Sequence, residues 1–192
     1  MNIFVLDTDP AKAAQLHCDT HVVKMILETT QILCTVRHMA GNPVPGGYKP
    51  THQHHPCTKW AAESVENSSW LWVLLFWLHD EYEYRYHKIH ASKRIFFPED
   101  ITPLGCYPPS TPFVFAGPDQ CIRSTIVESY RALYRLKQTT MKRPMRWTKR
   151  PRPEWMDAYT CRIHLHPGAW TLSTVPSGPR VPIFHPHFPN FQ

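Results

Sequence analysis

Proline decides first what this chain can fold into. Twenty of its 192 residues are proline, and they bunch between Pro98 and Pro118 and again from Pro144 onward. A proline inside a helix removes a backbone hydrogen bond and clashes with the turn before it, and in a central strand it removes a ladder bond. Regular structure is therefore confined to the stretches between these bunches. Within them the apolar residues recur at helical spacing. The first predicted helix runs from Pro10 to Ala40, with apolar positions at Ala14, Val22, Met25, Ile26, Ile32, Leu33 and Val36. The second runs from Lys59 to Ser92 behind a Thr58 cap, and its aromatic middle makes it the central helix. The third runs from Asp119 to Gln138 on a stripe of Ile122, Ile126, Val127, Tyr130, Leu133 and Leu136. Residues 2–6 form a short β-type run, and short extended pieces are expected at Ile95–Phe97 and Phe113–Phe115, with a short helix at Pro153–Tyr159. The expected class is mainly α: a compact bundle of three principal helices, long Pro-rich loops and a wrapped C-terminal tail. A single domain is expected over 1–192, with a helical body at 1–155 and a Pro/His-rich extension at 156–192.

Charge narrows the partner. The formal net charge is +6, and Lys142, Arg143, Arg146, Lys149, Arg150 and Arg152 lie within eleven residues that contain no acid. A concentrated positive segment suits a polyanion, here DNA, RNA or a nucleotide phosphate. The six cysteines include no CxxC pair and are read as reduced, mostly buried thiols. The longest apolar run, Trp70–Leu78, is half of what a membrane span needs, and MNIFVLDTDP is too short and acidic for a secretory signal. A chain in the cytoplasm of a bacterium or a phage-infected host, with no membrane partner, is the expectation; the oligomeric state is not legible.

Chemistry concentrates in HCDTHVVKMILE, residues 17–28. On one continuous helix, His17, His21, Lys24 and Glu28 would form a single stripe, with Cys18 and Asp19 alongside. Two functional readings follow. A lysine among apolar residues can act as an amine nucleophile or base, with Glu28 as general acid or base and the histidines positioning a substrate. Alternatively, His17 and His21 form an HxxxH metal pair completed from His52, His54 or His55. No cofactor is predicted under the first reading, and a divalent metal enters only under the second.

The loop YKPTHQHHPCTKW reads as the second wall of a site. Tyr48 and Trp60 offer flat faces for a base, and Lys49, His52, His54 and His55 offer donors. At the end of the central helix, Arg85, His87 and Lys88 are placed to reach phosphate. Arg146, Trp147, Lys149 and Arg150, stiffened by neighbouring prolines, form the best phosphate-binding candidate. Tail histidines 164, 166, 185 and 187 are read as part of a stapled extension held by Phe184, Phe188 and Phe191.

The stretches HCDxHVVKMxLE, KPTHxxHPxxxW and WTKRxxPEW resemble a group of small phage and bacterial proteins. The layout also resembles, more distantly, the pyrimidine-dimer DNA glycosylase/AP lyase family typified by phage endonuclease V. That resemblance implies a compact three-helix protein whose nucleophile is an N-terminal amine, uncovered by loss of Met1, and whose catalytic carboxylate follows a helix histidine by seven residues. Matched on His17, the carboxylate position holds Lys24, and Asn2 is not the small residue that favours loss of Met1. Lys24 would then replace the amine, with Glu28 as the acid. Three functions stand open: an enzyme acting at a base or its N-glycosidic bond, a metal-dependent nuclease or phosphohydrolase using the histidines, or a non-catalytic nucleic-acid-binding protein. In the last, only 142–152 matters.

Overall fold

The protein is described by a computed structural model covering residues 1–96 and 108–157. Six α-helices form its frame: α1 (Pro10–Leu16), α2 (Asp19–Met39), α3 (Pro56–Glu63), α4 (Val65–Tyr86), α5 (Lys93–Phe96) and α6 (Ile126–Thr140). Two 3-10 turns, Asp119–Cys121 and Glu154–Met156, complete the regular structure among the described residues, which contain no strand. The chain is mainly α, with α2, α4 and α6 as its long helices.

Each long helix expected from the sequence is shorter than its apolar pattern or divided, and caps explain where. The 10–40 helix breaks at His17, whose ψ of 136° is extended, and α2 restarts behind Cys18. Asp9 caps α1 through the Ala11 amide, and Pro10 fills the first helical position. The 59–92 helix is two helices. His55 caps α3 by accepting from the Cys57 amide, with Pro56 in the first turn, so that helix begins before Thr58. Ser64 then breaks the chain and caps α4 by accepting from the Asn67 amide at 3.0 Å. α4 ends at His87, which takes a left-handed φ of 53°. The third helix starts later than its apolar stripe: Thr125 caps it, its Oγ1 accepting from the Glu128 amide. Residues 93–96 are helical rather than extended, 113–115 carry no regular structure, and the expected 153–159 helix is the short turn at Glu154–Met156. Phe97 and residues 158–192 of the C-terminal extension lie outside the described residues.

The centre of the body is a segment that belongs to no helix. Ile3, Phe4, Val5 and Leu6 are all buried, surrounded by residues from α1, α2, α4 and α6. A non-helical segment in a core needs partners for its amides. Asn2 supplies two, its Oδ1 accepting from Ile3 N at 2.8 Å and Phe4 N at 3.2 Å. Arg131 of α6 donates to the Leu6 carbonyl. α4 packs against α1 and α2, while α6 meets the core through Tyr130 and Tyr134, which ring Phe4 edge-on. The apolar run Trp70–Leu78 is core, and no described helix is long and apolar enough to cross a membrane.

Candidate active site

The site is built where the N-terminal segment crosses α2. Glu28 is held there at 12% side-chain exposure. Its Oε2 accepts from the Asn2 backbone nitrogen at 2.9 Å and lies 3.9 Å from the Met1 ammonium. Its Oε1 lies 3.3 Å from Lys24 Nζ, one turn back on the same helix. One carboxylate thus faces two amines. The Met1 side chain is 4% exposed, and the Lys24 side chain is 61% exposed. The Asn2 nitrogen is the atom that becomes the α-amine if Met1 is removed, and it already stands within hydrogen-bond distance of Glu28. Asn2 Nδ2 donates to the Ala116 carbonyl and pins the segment in place.

The loop before α3 reaches the same place. A hydroxyl fastens it to α2: Thr35 Oγ1 accepts from Thr51 N at 3.1 Å while donating to the Gln31 carbonyl at 2.7 Å. His55, half-buried, accepts from the Cys57 amide at Nδ1, which leaves the proton on Nε2. Burial lowers its pKa first, then the N-terminal ammonium and His52, while Glu28 opposes them. Its ring is therefore a neutral donor facing the charges of this site. His52 is exposed, with a left-handed φ of 50° and Nδ1 at 2.7 Å from Thr51 Oγ1. His54 and Lys49 are exposed at the rim. Tyr48 is half-buried, its hydroxyl 2.9 Å from Ser92 Oγ. Trp60 is placed differently from the expectation. It is 2% exposed and packs on Trp70 and Phe113, so its apolar faces are spent in the core.

His17 and His21 do not share a surface stripe with Lys24 and Glu28: the helix break sets His17 off from α2, and His21, on α2 itself, faces the core. Both are buried. His21 stacks on Phe4 at 4.7 Å, and His17 Nδ1 pairs with the Ala13 carbonyl at 2.6 Å. Burial lowers the His17 pKa to about 4 and the His21 pKa to about 3. They are neutral packing residues under the N-terminal segment rather than a solvent-facing pair. Among the described residues no group of three or more His, Cys, Asp or Glu is placed to hold a metal, so His52 and His55 do not complete an HxxxH site. The described cysteines 18, 34, 57 and 121 are free and buried, and burial pushes the Cys57 thiol up to about 11.

Asp19, Arg85 and Arg150 belong to a structural network. Arg85 is fully buried and donates to Glu81 at 2.6 Å, to Asp19 at 2.9 Å and to the Gln15 carbonyl. Glu81 also takes Arg150 at 2.8 Å. Asp19 further accepts from the amide and hydroxyl of Thr148. Trp147 is buried and donates to the Leu16 carbonyl, and Lys149 Nζ donates to the Tyr84 carbonyl and meets His87 at 2.6 Å. The basic segment is thus a strap across the end of α4. Arg146 remains exposed on it. The phosphate-binding expectation for Arg85 and Trp147 gives way to this role, because their polar atoms are bonded inside the protein, whereas Arg150 commits Nε and Nη2 to Glu81 and keeps 28% of its side chain exposed.

Residues 1–94 match the family model described as pyrimidine dimer DNA glycosylase. The N-terminal half of this chain resembles the pyrimidine dimer DNA glycosylases. The matched stretch contains every member of the site just described: Met1, Asn2, Lys24, Glu28 and His55. It supports a DNA-glycosylase-like activity and a DNA substrate in general terms. No curated protein and no solved structure matches the chain. Glu28 follows His21 by seven residues, just as Lys24 follows His17, so the sequence offers two registers for that interval. Of the two residues, Glu28 is the one within hydrogen-bond distance of the Asn2 nitrogen.

Proposed function

We propose that this protein is a DNA glycosylase of the imine-forming kind, with the N-terminal amine as nucleophile and Glu28 as general acid and base. The observation that carries this reading is the 2.9 Å contact between Glu28 and the residue-2 nitrogen, with the Met1 ammonium 3.9 Å from the same oxygen. In either processing state an α-amine stands beside one shielded carboxylate. The neutral amine attacks C1′ of the damaged nucleotide as the C1′–N bond to the base breaks. The base leaves with the bonding pair, and the amine gives up a proton to Glu28. Proton return from Glu28 to the sugar ring oxygen opens the ring, and loss of the second amine proton leaves the imine. Neutral His55, with its proton on Nε2, is suited to donate to a substrate oxygen or base at the rim. A second reading uses Lys24 as the amine, favoured by its 3.3 Å approach to Glu28 and its exposure.

Borohydride reduces an imine to a stable secondary amine, so trapping on DNA carrying a pyrimidine dimer or an abasic site is the test. The expected adduct maps by mass spectrometry to the first peptide of the chain. An adduct on Lys24 selects the second reading, and no adduct on either substrate overturns both. Glu28→Gln is expected to keep the fold and slow trapping by about 10²- to 10⁴-fold, the usual range for loss of general acid–base help.

A further inference from the structure

One surface beside the site shares Lys24 with it and is otherwise not used by the chemistry above. A groove of about 720 Å³ lies between the outer face of α2 and the C-terminal end of α4. Its floor holds Val23 and Leu27, 40% and 37% exposed, among the most exposed large apolar residues of the helix. One wall is aromatic: Tyr82 and Tyr86, both half-buried, with ring centroids 5.0 Å apart. The rim is cationic, with Lys24, Lys88 and Arg143 from three separate segments and His90 beside them. One carboxylate, Asp19, lines the groove, and its oxygens are already bonded to Arg85 and Thr148. The groove therefore presents net positive charge over an apolar, aromatic floor.

That combination is what a nucleotide strand needs. Aromatic and apolar faces take a base without reading its identity, and separated cations take the phosphates on either side. Position ties the groove to the site. Lys24 belongs both to the groove and to the site, 3.3 Å from Glu28. We propose that this groove is a nucleotide subsite holding the DNA strand next to the reacting nucleotide, with a base against Tyr82 and Tyr86 and flanking phosphates on Lys24, Lys88 and Arg143. The proposal rests on the reading that the substrate is DNA, and it adds which surface holds it.

The test uses the full chain and a labelled duplex carrying a tetrahydrofuran abasic analogue, which cannot form an imine. Lys88 and Arg143 are exposed, so Lys88→Ala with Arg143→Ala leaves the core untouched; equal thermal melts check this. Lys12→Ala with Lys59→Ala removes the same charge from exposed positions outside the groove. The groove pair is expected to weaken binding at least tenfold more than the control pair. It should also flatten the slope of log affinity against log salt by about 2, as expected for two lost phosphate contacts. Equal losses in the two pairs overturn the subsite. A 2-aminopurine base placed beside the analogue is expected to be quenched on binding, with the quench relieved by Tyr82→Leu; an unchanged quench overturns the stacking. Because this duplex needs no chemistry, failure of borohydride trapping overturns the imine reading without touching these outcomes.

Discussion

Glu28 is set apart by what surrounds it within a few ångströms. A carboxylate on the same helix as Lys24 would by itself be a surface pair worth a few tenths of a kcal/mol. Here its second oxygen is taken by the N-terminal segment, and its side chain is only 12% exposed. The two histidines that share its sequence neighbourhood have a different physical role. His17 and His21 are neutral under Phe4, with pKa values lowered to about 4 and about 3 by burial, and His79 is lowered to about 3 for the same reason. In the unfolded chain these groups take up protons near pH 6.5, so between there and their folded values the unfolded state binds more protons. Stability is therefore complete above pH 6.5 and is lost as pH falls toward 4, at about 1.4 kcal/mol per pH unit for each histidine. Urea midpoints measured at pH 7, 5.5 and 4.5 should drop steadily. A midpoint that stays level across that range would show that these rings are not held neutral.

At the scale of elements, the helix ends place the functional groups. The break at His17 turns α1 away and lets Asp19, in the first turn of α2, meet Arg85 of α4 and Thr148 of the strap. Arg85 has no exposure, and its charge is matched by Glu81 at 2% and Asp19 at 20%. Removing one member of a buried pair strands the others, which typically costs about 3–5 kcal/mol. Arg85→Ala is expected to lower unfolding free energy by that amount in urea titrations. Arg150→Ala, whose side chain is 28% exposed, should cost about 1 kcal/mol or less. If both cost the same, the strap and not the buried pair carries the stability. The cap signals were legible in the sequence: His55-Pro56, Ser64 three residues before Asn67, and Thr125 three residues before Glu128. They were masked by apolar periodicity that runs across each break, since a stripe of core residues can continue through a turn when both helices pack on the same centre.

Across the whole molecule, the site joins positions far apart in the chain: residues 1 and 2, Glu28, and His55 on a loop anchored to α2 by Thr35. The proposed chemistry needs a free α-amine beside Glu28, and an N-terminal extension turns that amine into an amide. A permanent N-terminal extension is therefore expected to reduce borohydride trapping by about 10²-fold or more. Full trapping by the extended protein would transfer the chemistry to Lys24. By itself the amino-acid sequence determined the mainly helical class, because proline placement and 3.6-residue periodicity are local properties of the chain. It also determined the basic character, and the acid and amine types gathered at 17–28. Tertiary structure decided which of those residues meet. His17 and His21 went into the core, Arg85 and Arg150 into a strap, and Glu28 to the N-terminal nitrogen. Such pairings depend on where buried segments cross, and crossing is set by packing between parts of the chain that periodicity cannot relate.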